Sequence, residues 1–139
     1  METQTLKTIT QTVTFKNTTA LQVYEMLINE RHHRAFTGED ASIVRSVGGK
    51  FKAYGDYISG MNVELESPRR IVQKWRASDW EDKNHYSTCT FDIQQGSNDV
   101  VLNFTQEGVP EKNYKAIKQG WNDHYWDKMK EYIEFLNKN

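Results

Sequence analysis

The last part of the chain sets a condition that the rest of it must meet. Ile117, Trp121, Tyr125, Met129, Tyr132, Ile133 and Leu136 recur at intervals of three and four, the spacing that lines one side of an α-helix with apolar groups. A stripe this aromatic needs a cover, and the residues before it supply one. Between Ala41 and Glu107 the pattern changes to alternation, the mark of strands with one face buried. Ile71, Gln73, Trp75 and Ala77 share one face, Cys89, Phe91 and Ile93 another, and Val100, Leu102, Phe104 and Gln106 a third. Tyr57, Ser59, Met61, Val63 and Leu65 are read as the inward face of a further strand. Turn signals at Gly48-Gly49, Gly55-Asp56, Ser67-Pro68 and Gln95-Gly96-Ser97-Asn98 separate these runs. The expectation is an α+β fold in which an antiparallel meander receives the helix in its concave face.

Upstream, Ile9, Val13 and Phe15 alternate with Thr8, Thr10, Thr12 and Thr14, which predicts a half-buried first strand. Thr19 and Gln22 have capping-box spacing ahead of the stripe Leu21, Val23, Tyr24, Leu27 and Ile28, so a short helix follows and ends near Asn29. A second short helix is expected from Glu30 to Phe36, closed by Gly38 in a left-handed cap. Gly48-Gly49 is read as a bulge that lets the sheet curl. Gly120, inside the long helix, marks either a break between two helical pieces or a close packing contact.

A length of 139 residues suits one domain, taken as residues 1–139. Only 37% of residues are hydrophobic, yet six Phe, seven Tyr and four Trp supply large buried areas, so the core is expected to be built on rings. The net charge is −1, from 18 basic and 19 acidic residues that are interspersed, which gives no field to draw in nucleic acid or an anionic membrane. One cysteine, Cys89, excludes an intrachain disulfide and a multi-cysteine zinc site. No apolar run approaches a membrane span, and Met1-Glu2-Thr3-Gln4-Thr5 lacks the basic start and apolar stretch of a leader. The expected compartment is the reducing cytoplasm.

Four segments, in order, carry a family resemblance: Gly48-Gly49-Lys50-Phe51, Gly55-Asp56-Tyr57-Ile58-Ser59-Gly60, Lys74-Trp75-Arg76-Ala77-Ser78-Asp79-Trp80, and Glu107-Gly108-Val109-Pro110 leading into Gln119-Gly120-Trp121-Asn122-Asp123-His124-Tyr125-Trp126. Together they resemble the C-terminal domain of the activator of Hsp90 ATPase, within the START-like helix-grip superfamily, from about Thr8 to Leu136. The resemblance implies a curved antiparallel sheet of six or seven strands wrapped around a long C-terminal helix, with short helices after the first strand. It also implies a non-enzymatic co-chaperone that binds Hsp90 and favours its closed, ATPase-active state. In such activators the N-terminal domain docks on the middle segment of Hsp90 and the C-terminal domain contacts the dimerised N-terminal segments. This sequence resembles the second of those two domains.

Two sets of candidate site residues follow. For partner binding, Trp80 sits among Asp79, Glu81, Asp82 and Lys83 in what reads as an exposed loop, and an exposed Trp is a common interface anchor, with packing as its other reading. Lys74 and Arg76, on the outward positions of the Trp75 strand, are candidates for the same surface. For a small apolar ligand, the alternative function that START-like folds suggest, the candidates are Phe51, Tyr57, Ser59, Gln73, Trp75, Phe104, Trp121 and Tyr125, lining a cavity between sheet and helix. Gln11, Gln73 and Gln106 interrupt apolar faces and are either polar anchors of that cavity or amides satisfied within a filled interior. Neither a metal set nor a cofactor motif is present: His32 and His33 are adjacent and point about 100° apart on a helix, and His85 and His124 have no ligand neighbours at suitable spacing. No acid–base pair can be named inside the expected cavity, so no enzyme is expected.

Overall fold

The computed structural model of the protein describes residues 5–138; Met1 to Gln4, part of the N-terminal stretch read above, and Asn139 lie outside the described residues. In chain order the elements are β1 (Leu6–Lys16), α1 (Ala20–Ile28), α2 (Glu30–Thr37), β2 (Ala41–Ile43), β3 (Lys50–Ala53), β4 (Ile58–Glu66), β5 (Arg70–Ala77), β6 (Ser87–Gln95), β7 (Asp99–Pro110), α3 (Glu111–Trp121) and α4 (Asp127–Asn137). Between α3 and α4 the helix does not stop but widens for one turn over Asn122–Trp126.

The strands form one curved antiparallel sheet in the order β1-β7-β6-β5-β4-β3-β2. Consecutive strands from β2 to β7 pair in turn, as the closely spaced turn signals require, while α1 and α2 carry the chain from β1 at one edge to β2 at the other. The α1 start follows its expected cap: the Gln22 N–H donates to Thr19 Oγ1 at 3.2 Å. Gly38 closes α2 in the left-handed conformation (φ 75°).

The inward rows of β1, β5, β6 and β7 lie as their alternation predicts, with Ile9, Phe15, Ile71, Ala77, Cys89, Val100, Leu102 and Phe104 fully enclosed. β4 does not. Its inward residues are Ile58, Gly60 and Asn62, so Tyr57 is exposed and Ser59 and Met61 face outward. The reason is local. Gly60 lies opposite both Phe51 and Trp75, and a Cβ on it would run into the Lys74 carbonyl oxygen, so only glycine fits the inner position there. Asn62 is buried because its Nδ2 donates to the Val44 carbonyl at 2.9 Å and its Oδ1 accepts from Gln73 Nε2 at 3.1 Å. A register shift between Asn62 and Glu64 then resets the parity of the strand. Gly48 and Gly49, read above as a bulge, instead form the turn between β2 and β3, where Gly49 leaves room for the Val44 carbonyl.

The long helix also departs from a single straight stripe. Trp126, outside the stripe traced in the sequence, is buried beside Tyr125. Residues four apart share a face in an α-helix, but Trp121 and Trp126 are five apart. The wide turn, closed by the Asp127 N–H donating to the Asn122 carbonyl, brings them into register. Their rings stack at 5.3 Å with 19° between planes. Each indole N–H then finds an amide on the sheet: Trp121 Nε1 donates to Gln106 Oε1 and Trp126 Nε1 to Gln11 Oε1, both at 2.8 Å. These glutamines on neighbouring strands thus serve the helix, which explains polar residues in apolar rows. Gly120 neither breaks the helix nor relieves a clash, since the nearest atom to a Cβ there would be His124 Cδ2 at 3.8 Å.

Candidate functional site

The interior between sheet and helix is almost entirely filled. An enclosed void of about 20 Å³ remains, lined by residues that include His33, Phe51, Gln73, Trp75, Trp121 and Tyr125, and it has the size of a single water. His33 is 3% exposed, its Nε2 lies 3.0 Å from the Tyr125 hydroxyl, and its Nδ1 has no partner among the described residues. Burial lowers its pKa from 6.5 to about 4, so the ring is neutral near pH 7.

A larger opening lies where α3 stands away from the ends of β4 and β5. This groove holds about 510 Å³. Ile58, Trp75, Ile117, Trp121 and Tyr125 make its apolar floor, and Tyr54 and Tyr57 stand on its rim with Glu39 and Asp79. The Tyr54 hydroxyl donates to the His124 carbonyl at 2.5 Å, and the Tyr57 hydroxyl donates to Asp79 Oδ1 at 3.2 Å. Burial raises the pKa of both phenols, helped by Glu39 at Tyr54 and by Asp79 at Tyr57. Both therefore remain hydrogen-bond donors at neutral pH. Gly120 also lines the groove, where a side chain would narrow it.

The eight residues expected to line one cavity do not share one. Phe51 and Gln73 border the enclosed void; Trp75, Trp121 and Tyr125 form the wall shared by void and groove; Tyr57 is on the groove rim. Phe104 lines neither, because it packs beneath Trp121 with ring centroids 4.4 Å apart. Ser59 faces the opposite side of the sheet.

Two of the three expected partner-binding residues are also placed differently. Trp80 is 2% exposed, packed against Trp75 at 5.8 Å and His85 at 5.9 Å. The charged loop folds back over the end of β5 rather than projecting, so its aromatic residue joins the core. Arg76 occupies an outward position yet is buried beneath that loop, donating from Nε to the His85 carbonyl at 3.3 Å and from Nη2 to the Asp82 carbonyl at 3.2 Å and the Trp80 carbonyl at 3.5 Å. Lys74 is exposed, as expected.

On that outer face a second cleft, of about 490 Å³, runs across β3, β4 and β5. Val44, Met61 and Tyr86 give it an apolar bed and Lys50, Lys52 and Lys74 border it. The alternation of Lys50 and Lys52 about the inward Phe51 was a usable sequence signal for this face. Met61 gave none, because it was assigned to the inner row.

Chemistry is poorly provided for. Cys89 is fully buried, and burial pushes its thiol pKa well up, which suppresses the thiolate. Among the described residues no cluster of three or more His, Cys, Asp or Glu is placed to hold a metal ion.

The fold and its surfaces can be set beside known proteins. The family model described as "Activator of Hsp90 ATPase homolog 1-like protein" matches residues 17–134. The chain belongs to this activator family. A Dictyostelium discoideum protein named activator of 90 kDa heat shock protein ATPase homolog is 29% identical over 140 residues, covering 98% of this chain and 36% of its own length. A mouse protein named activator of 90 kDa heat shock protein ATPase homolog 2 is 28% identical over 123 residues, covering 88% of this chain and 37% of its own length. The chain thus spans little more than a third of these activator relatives. The crystal structure of an HSP90 activator from Plasmodium falciparum superposes with a TM-score of 0.84 at 22% identity, over 91% of this chain and 96% of that one, which shows the shared helix-grip fold. Among the described residues no helix is long and apolar enough to cross a membrane.

Proposed function

We propose that this chain is a non-enzymatic co-chaperone domain that works in the cytoplasm, binding Hsp90 and favouring its closed, ATP-hydrolysing state. The observation that carries the reading is the breadth of the match: two proteins named as Hsp90 ATPase activators align with 98% and 88% of this chain. The packed interior supports it from another side. An enclosed void of about 20 Å³ is far below the roughly 300–1,000 Å³ of ordinary ligand pockets, so a carrier's ligand would have to lie in the open groove. Surfaces, rather than an internal chamber, are what this fold offers.

Such a domain acts by differential binding. If it holds the closed Hsp90 dimer about tenfold more tightly than the open one, it shifts that equilibrium by about 1.4 kcal/mol toward closure. The deciding experiment is sedimentation velocity of the fluorescently labelled chain with full-length Hsp90, without nucleotide and with a non-hydrolysable ATP analogue. Co-sedimentation that strengthens with the analogue is expected. Equal binding in both conditions would remove the closed-state preference, and no binding in either would overturn the reading.

A further inference from the structure

The outer cleft carries an unbalanced charge on a chain that is otherwise nearly neutral. Its border contains Lys50, Lys52 and Lys74 and no carboxylate, whereas the whole chain has a net charge of −1. Strand register explains the concentration. Lys50 on β3 lies opposite Met61 on β4, which lies opposite Lys74 on β5, so two ammonium groups flank one thioether across three adjacent strands. Lys52 is one step along the same face, opposite Ser59. Among the described residues only Lys52 of the three lysines has an acidic neighbour, Asp56 at 3.5 Å, and both of those side chains are well exposed. Lys74 is occupied only by the neutral Thr88 hydroxyl at 3.2 Å.

Large apolar side chains lie open in the same place. Val44 is 55% exposed, Met61 38% and Tyr86 44%. The backbone of Gly60 lines the cleft as well. Exposed apolar groups that are interspersed with one sign of charge fit a partner carrying the complementary pattern.

We propose that this cleft receives an extended acidic segment of the protein partner, with an apolar side chain seated among Val44, Met61 and Tyr86 and carboxylates paired with Lys50, Lys52 and Lys74. The inference rests on the Hsp90 reading and adds to it the face of the domain that makes contact. Because the lysines lie at a rim, their main effect is on encounter and on salt dependence, with the apolar bed slowing release.

The test uses the full chain and full-length Hsp90 with the non-hydrolysable ATP analogue. Three variants are compared with the parent: Lys50→Glu with Lys74→Glu, Met61→Asp, and a control that reverses the same number of charges on the long helix, Lys115→Glu with Lys130→Glu. Thermal melts confirm that each is folded. Reversal at 50 and 74 is expected to weaken binding by about tenfold or more and to flatten its salt dependence. Met61→Asp should weaken binding with less change in salt dependence, and the helix control should stay within about threefold of the parent. If the parent binds and the cleft variants bind as well as the control, the cleft is not the docking face although the Hsp90 reading stands. If the parent does not bind, both fall together. A parent that self-associates in sedimentation, and is made monomeric by the reversal at 50 and 74, would assign the cleft to a second copy of this chain and overturn the proposal.

Discussion

Acid should loosen this protein through one histidine. His33 sits on α2 with its ring 5.0 Å from Phe36 and 5.3 Å from Tyr125, and its one partner is the neutral Tyr125 hydroxyl. Burial alone depresses its pKa, from 6.5 to about 4. The unfolded chain therefore takes up a proton that the folded chain refuses, over the range between those two values. Stability contributed by the neutral ring is complete above the unfolded value and falls as pH drops. The loss approaches 1.4 kcal/mol per pH unit, reaches about 2 kcal/mol by pH 5, and totals about 3 kcal/mol below pH 4. Glu25 and Glu30 also have lowered pKa values, Glu25 chiefly through its bond with Arg45 and Glu30 through the Ile43 N–H. Their stabilising effect is present above the ordinary carboxylate range and fades only as pH falls below it, so a window above about pH 5 keeps them out. Urea unfolding from about pH 7.5 to pH 5 on the parent and on His33→Gln isolates the effect, because every other titrating group is common to both and cancels. The parent should lose about 2 kcal/mol more than the variant over that window. Parallel stability curves would refute the argument and mean that the ring is reached by water or protonated without cost.

Other substitutions test the packing. Gly60→Ala places a methyl against the Lys74 carbonyl and the Phe51 ring and should cost more than about 2 kcal/mol; a melting temperature within two or three degrees of the parent would show that β4 can shift aside. Arg76→Ala strips three carbonyls of a charged donor and should cost about 2 to 3 kcal/mol, whereas Lys74→Ala should stay within about 0.5 kcal/mol; equal costs in chemical denaturation would contradict their different burial. Trp80→Ala should lower stability by about 3 to 4 kcal/mol, and a melt unchanged by it would mean the loop opens freely. Gly120→Ala, at a helical position with no atom closer than 3.8 Å, should raise stability by about 0.5 to 1 kcal/mol; destabilisation in a thermal melt would point to a packing constraint that the geometry does not reveal.

The helix and the inner rows of β5, β6 and β7 were legible because apolar side chains recur there at one period without competition. β4 was not. Tyr57, Met61 and Val63 look like an inner row with Leu65, while only Leu65, past the register shift, packs on the core, and the true row before it contains Gly60 and Asn62, residues whose inward position is set by neighbours across the sheet. Burial of Arg76 and Trp80 depends on how the loop after β5 folds back, and nothing in the alternation of β5 encodes that. The charged neighbours of Trp80 pointed the other way. Of the candidate site, the rings of the groove floor were found, since they fall on periodic elements. The outer cleft was missed because Met61 was given to the wrong face, and with it the row linking Lys50 to Lys74.

The widened turn at Asn122–Trp126 makes the C-terminal half of the helix sensitive to counting. Straightening this turn to ordinary helical spacing while keeping its residue count would rotate everything downstream by about 100°. Met129 and Ile133, now enclosed, would swing away from the sheet, and charged neighbours such as Lys130 would be carried toward it. Changing the type of an exposed residue within the turn, Asp123 for example, leaves that phase untouched. A one-residue deletion within the turn, which sets Trp126 four residues after Trp121 and keeps the downstream phase, should therefore be less damaging than a one-residue deletion in the regular turns of α3, because the alignment of eleven further residues hangs on the match between residue count and turn width.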